Sequence, residues 1–144
     1  MKSMTTLAAA LFGLTLVAGA ASADVIDDRQ KGFKQHLENL KAVKAAVESG
    51  NASAAVTPAS DMVVFAKTVP DLFPEGSGSG DTAALPAIWS DWDGFEEVAS
   101  DHVAAVEKLL AAAESGDASE LGAQLKATGG TCGACHDDYR AKKD

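Results

Sequence analysis

The run Cys132-Gly133-Ala134-Cys135-His136 ends eight residues short of the C-terminus and contains both cysteines of the chain. On a helix, positions i, i+3 and i+4 share one face. Such a run can therefore offer two thiols to the two vinyl groups of one porphyrin and an imidazole to its iron. C-x-x-C-H accordingly reads as an attachment site for c-type haem. A redox dithiol would need only C-x-x-C and usually sits near a βαβ pattern, and no convincing strand pattern is present. A structural zinc site wants four ligands, and three candidates cluster here. A structural disulfide stays open, because the chain looks exported.

The export signal is at the other end. Met1-Lys2 is a short positive start, Leu7 to Ala20 is apolar, and Ala21-Ser22-Ala23 offers small residues at a cleavage position. The apolar run, 14 residues long, is short against the roughly 20 needed to span a bilayer. Residues 1–23 are thus expected to be a cleaved signal peptide, with no membrane attachment afterwards, and residues 24–144 a single domain. The formal charge is -9, or -10 once Lys2 is removed. Such acidity makes nucleic acid and anionic lipid poor partners and also serves solubility. A periplasmic location fits both signals, since bacterial c-type haem is attached outside the cytoplasm.

Between these ends the apolar spacing is helical. Ile26, Phe33, Leu37, Leu40 and Val47 recur at three-, four- and seven-residue steps and predict a helix over 25–49, stopped by Gly50. Thr57-Pro58 begins a second helix, to about Thr68, using Met62, Val63, Phe65 and Ala66. Val69 to Pro86, with three prolines and Gly76-Ser77-Gly78-Ser79-Gly80, predicts a long loop with a flexible tip that crosses the bundle end. It lacks the Gly-Lys-Ser/Thr ending of a phosphate-binding loop. A third helix is expected from about Ser90, as N-cap, to Ser115, with Ile88, Trp92, Phe95, Ala99, His102, Val106, Leu109 and Ala113 as a buried seam and Gly116 as its stop. Asp117 with Glu120 can cap a fourth helix carrying Leu121, Leu125 and the cysteine motif. Gly129-Gly130 weakens that helix and would let a porphyrin approach its backbone. Four amphipathic helices in so short a chain predict an all-α, antiparallel four-helix bundle with a cofactor in its core.

A C-terminal C-x-x-C-H on the last of four helices, followed by Arg140, resembles cytochrome c′ and the wider class II c-type cytochromes. Arg29-Gln30 near the mature N-terminus, Ile88-Trp89-Ser90-Asp91, Phe95 and the ending Cys132 to Arg140 carry the resemblance. Cytochrome c′ is itself a standard example of the up-down-up-down bundle, so that topology is what the resemblance implies. It gives Cys132 and Cys135 the thioethers of one covalent haem c and His136 the proximal bond. It makes Arg29 and Gln30 contacts of the haem and its propionates, and Arg140 a basic residue on the proximal side. Trp89, Trp92 and Phe95 can line the pocket or simply pack the core.

In this family the fourth position after the Arg of the Arg-Gln pair faces the sixth coordination site, and here it is Phe33. Low-spin members carry methionine there. Phenylalanine has no lone pair for iron, so the resemblance implies a five-coordinate, high-spin haem under an apolar lid without a hydrogen-bond donor. Axial ligand and distal access decide what a haem does. The expected function is a periplasmic cytochrome, not an enzyme, that binds nitric oxide and carbon monoxide and is capable of one-electron transfer. The alternative is a low-spin electron carrier with His36 or another side chain as sixth ligand; His102 and Met62 are further candidates. A homodimer through the first two helices follows from the resemblance alone. A redox partner is implied, and no residue identifies it.

Overall fold

The computed structural model describes residues 18–142, with side chains from residue 23. The predicted signal peptide lies largely outside the described residues. Helix α1 covers Ala18–Glu48, α2 Val56–Thr68, a one-turn α3 Ala87–Ser90, α4 Trp92–Ser115 and α5 Ala118–Tyr139. Short 3-10 turns fill 52–55 and 70–72. The four long helices form a closed ring of neighbours, α1 against α2 and α5, and α4 against α2 and α5. Together they make the expected all-α four-helix bundle.

Local chemistry explains the ends. Gly50 and Gly116 follow α1 and α4 with φ of 67° and 77°, a left-handed conformation that favours glycine and ends a helix. Asp117 Oδ1 accepts the backbone N–H groups of Ser119 and Glu120 at 2.9 and 3.0 Å, capping α5 as its sequence predicts. Helix α1 begins seven residues earlier than the pattern from Val25 suggests. The alanine-rich stretch before Asp24 has high helix propensity and carries the helix upstream.

The third predicted helix is split. The backbone of Asp91 leaves helical geometry at φ -130°, ψ 56°, separating α3 from α4. Ser90 does not cap α4: it is the last residue of α3, and Asp91 holds the N-cap position of α4 without a side-chain cap hydrogen bond. The Asp91 carboxylate accepts the Tyr139 hydroxyl at 2.9 Å, tying the break to the end of α5. Glycines 129 and 130 do not interrupt α5, and a Cβ at either would meet nothing within 4 Å.

Two apolar clusters hold the bundle. One is aliphatic and centred on Val43, Met62, Val106, Leu109 and Leu121. The other is aromatic, built from Phe73, Ile88, Phe95 and Tyr139, with Phe65, Trp89, Trp92 and Cys135 packed against it. The aromatic cluster lies where the 69–86 loop meets the end of α5. There Leu85 N–H bonds the Tyr139 carbonyl and Ala141 N–H the Ala83 carbonyl, at 3.0 and 2.8 Å. The loop is therefore fixed to the chain just beyond His136.

Candidate haem site

Cys132, Cys135 and His136 lie within the last two turns of α5. Both cysteines are half-buried free thiols, and His136 is exposed. Cys135 packs against the aromatic cluster. Burial, then the neighbouring Cys132 and Asp138, pushes the Cys135 thiol up to about 11. Burial raises Cys132 as well, partly opposed by a backbone hydrogen bond. A redox-active or metal-binding cysteine needs the reverse shift, toward thiolate. Burial and the charge of Arg140 lower His136, partly offset by Asp137, so its imidazole is neutral and able to donate a lone pair. Among the described residues, no group of three or more His, Cys, Asp or Glu is arranged to hold a metal ion. Two thiols and one imidazole on one helical face suit a covalent haem, and among the described residues no further ligands gather there to complete a zinc site.

Helix α1, a neighbour of α5, carries Phe33. Phe33 is 37% exposed, a large value for a phenylalanine. Its ring meets Phe65 edge-on at 5.1 Å and lies 6.5 Å from Phe73. Gly32 permits this approach, since a Cβ there would collide with the Phe65 ring. Phe95 is buried and stacks edge-on against Phe73 at 5.0 Å and Tyr139 at 5.4 Å. Trp89 Nε1–H bonds the Phe73 and Pro74 carbonyls at 3.0 and 3.2 Å, which fixes the indole beside the loop. Trp92 lies 5.5 Å from Phe95.

Arg29 is 3% exposed, not a solvated helix start. Nη1 bonds the Leu72 carbonyl and Ser77 Oγ at 3.3 and 3.2 Å. Nη2 bonds the Ser77 carbonyl and Thr82 Oγ1 at 2.9 and 2.6 Å. The guanidinium also stacks on Phe73 at 4.6 Å. Both amino groups are thus engaged by the 72–82 loop, where the resemblance implies propionate contact. Gln30, on the same turn, bonds the Asp81 carbonyl at 2.7 Å. Within the Gly-Ser tip the same bonds hold Ser77, which is 1% exposed, while Gly76, Gly78, Ser79 and Gly80 face solvent. Arg140 is exposed just beyond α5 and lines, with His136, Asp137, Ala141 and Lys142, a shallow cleft of about 290 Å³.

The sequence did not foretell one cluster. His36 Nε2 lies 2.9 Å from His102 Nε2, and His102 Nδ1 lies 2.7 Å from Thr131 Oγ1, the residue preceding Cys132. The His36 ring is also 5.3 Å from Phe65, the ring that Phe33 touches. Polar atoms therefore adjoin what sequence reasoning describes as a purely apolar lid. Burial, then His102, lowers His36 to about 4; burial, then His136, lowers His102. The signal in the sequence was slight: His36 is three residues from Phe33, and His102 lies on the α4 seam. Their pairing across 66 residues is a tertiary fact.

With this geometry described, comparison is informative. A family model described as Cytochrome C' matches residues 24–140. The chain is 37% identical to a cytochrome c' of Cereibacter sphaeroides, covering 95% of this chain and 97% of the relative. It is 34% identical to cytochrome c-556 of Agrobacterium fabrum, covering 99% of each. The crystal structure of cytochrome c' from Rubrivivax gelatinosus superposes with TM-score 0.76 at 32% identity, covering 83% of this chain and 96% of that one. A nitric oxide complex of a variant cytochrome c prime from Alcaligenes xylosoxidans superposes with TM-score 0.78 at 27% identity, covering 85% and 97%. A cytochrome c' with a ligand-controlled dimer dissociation gives TM-score 0.79 at 26% identity, covering 87% and 100%.

Proposed function

The chain belongs to the cytochrome c′ family and carries covalently bound haem c, and on that premise we propose that it is a periplasmic gas-binding cytochrome with an open sixth coordination position. The observation that carries this reading is Phe33. It stands at the fourth position after Arg29 and presents a partly exposed ring, braced by Phe65 at 5.1 Å, with no lone pair to offer. In this reading Cys132 and Cys135 form the thioethers and His136 supplies the proximal nitrogen. The packing of Cys135 on the aromatic cluster and the neutrality of all three side chains support the assignment. The bound haem supplies a reversible one-electron change and a coordination position for nitric oxide or carbon monoxide.

The chain's own residues exclude bulk water and orient the group. In this reading Phe33, braced by Phe65, covers the distal side, and Arg29 holds the loop that carries Phe73 and backs Trp89. The competing arrangement, a low-spin electron carrier with His36 on the iron, would have to use Nδ1, because His36 Nε2 is engaged with His102. The role is ligand binding with one-electron transfer, not turnover. Dimerisation is proposed through α1 and α2, which expose Leu37 and Val64 to solvent; a neighbour with a ligand-controlled dimer supports it. The acidic chain suits a basic redox partner.

The visible spectrum of the purified protein, oxidised and reduced, with and without carbon monoxide or nitric oxide, tests this reading. The expected result is a broad high-spin spectrum that shifts with either gas. A sharp low-spin spectrum that neither gas moves would replace it with a six-coordinate carrier.

A further inference from the structure

A cleft of about 600 Å³ opens between the start of the 69–86 loop and the break that separates α3 from α4. Phe73, Trp89 and Trp92 give it aromatic walls, and exposed Asp71 and Glu75 give it charge. Cys132, Cys135, His136 and Phe33 do not line it, and no basic side chain does. The break at Asp91 leaves Trp89 on α3 and Trp92 on α4, both half-buried.

What these groups leave free defines the occupant. Trp89 Nε1–H is spent on the Phe73 and Pro74 carbonyls, so its indole offers the cleft a π surface rather than a donor. Arg29 is buried against Phe73 with both amino groups bonded by the loop, which leaves Trp89 and Trp92 for an incoming cation. Among the described residues neither Asp71 nor Glu75 has an ion-pair partner. Tryptophan is the best side-chain ring for a cation, and two unpaired carboxylates beside it add charge-assisted acceptors. An anion or a plain hydrocarbon gains nothing from those carboxylates. A lysine or arginine side chain, apolar along its stem and charged at its head, matches both surfaces.

The cleft also adjoins the haem attachment. Trp89, Trp92 and Cys135 pack against the same aromatic cluster, in which Trp92 lies 5.5 Å from Phe95 and Phe95 5.4 Å from Tyr139. We propose that the Trp89–Trp92 cleft is the docking site of a basic one-electron carrier protein, which seats a lysine or arginine side chain between the indoles and the carboxylates of Asp71 and Glu75. One electron then passes between that partner and the haem on Cys135, with no bond made or broken and no proton moved. The net charge of -9 draws such a partner in, and the cleft fixes where it lands. The redox purpose rests on the one-electron reading above; the cation seat does not.

Mitochondrial cytochrome c, a basic one-electron carrier, serves as the probe for the full holoprotein. At about 0.1 M salt, where charges beyond roughly 10 Å are screened, the ferric probe is mixed with the ferrous protein in stopped flow. Asp71→Asn with Glu75→Gln is expected to slow the electron transfer about tenfold, and Trp92→Leu about two- to fivefold, with partial recovery in Trp92→Phe. Asp101→Asn with Glu114→Gln removes the same charge farther along α4 and is expected to leave the rate within about twofold. In the 15N-labelled ferrous carbon monoxide form, ferrous probe is expected to shift the indole N–H signals of Trp89 and Trp92. A control pair as slow as the cleft pair, a Trp92→Leu rate equal to wild type, or indole signals that the probe leaves in place would overturn the proposal. Indole shifts caused by tetramethylammonium chloride and not by the probe would make the cleft a small-cation site and overturn it equally. Ferricyanide, a small anion, is expected to oxidise every variant at no less than the wild-type rate. Should it fail to oxidise the wild-type iron, the one-electron reading fails separately, and the indole shifts still decide the cation seat.

Discussion

Phe33 is the residue on which ligand chemistry turns. Its ring is braced by Phe65 and reaches toward Phe73, and methionine has similar length with a thioether lone pair. Phe33→Met is expected to move the spectrum toward six-coordinate low spin and to weaken carbon monoxide affinity at least tenfold, about 1.4 kcal/mol of competition. An unchanged high-spin spectrum would take Phe33 out of the distal position. The histidine pair sets a pH dependence. In the unfolded chain histidine takes its proton near pH 6.5, whereas folded His36 resists until about pH 4. Between those values the unfolded state binds more protons, so stability declines as pH falls from about 6.5 through about 4 and then levels. Urea unfolding across that range reads the slope directly. His36→Phe should flatten it, and an equal slope in the variant would assign it elsewhere.

At the level of elements, the 69–86 loop is anchored to the bundle through buried Val69, Phe73 and Ser77. Arg29 holds it by four hydrogen bonds and a stacking contact with Phe73. Replacing Arg29 by methionine keeps the apolar stem but leaves the carbonyls of Leu72 and Ser77 without their donor. The expected cost is about 2–4 kcal/mol, measured by urea unfolding, together with faster amide exchange confined to 72–82. Lysine should not rescue it, because a point charge cannot reproduce the fork; full rescue would mean the charge alone mattered. For α5, Asp117→Ala removes two accepted N–H bonds and should cost about 1 kcal/mol. The haem spectrum is expected to stay the same, since the cap is 15 residues before Cys132.

On the scale of the whole molecule, the acidic chain exposes apolar side chains on neighbouring helices, with Leu37 49% and Val64 66% exposed. Among the described helices none is long and apolar enough to cross a membrane; the proposed dimer would cover both side chains. Val64→Glu is expected to shift sedimentation from dimer to monomer while folding stability stays within about 0.5 kcal/mol. A wild-type protein that sediments as a monomer at every concentration would end the dimer proposal.

The sequence by itself determined the four long helices, the stops at Gly50 and Gly116, the Asp117 cap, and the face that carries Cys132, Cys135 and His136. These depend on short-range periodicity and local backbone chemistry, which residues a few positions apart fix among themselves. Tertiary structure alone decided the break at Asp91, whose carboxylate accepts the Tyr139 hydroxyl from α5, where local reasoning takes Ser90 as the cap of one continuous helix. It also decided that Ser77 is buried under Arg29, and that His36 meets His102 and Thr131. Each joins segments 29 to 66 residues apart. A hydrogen bond of that kind has no periodic signature, because its partners are brought together only when the apolar faces of the four helices close on one another.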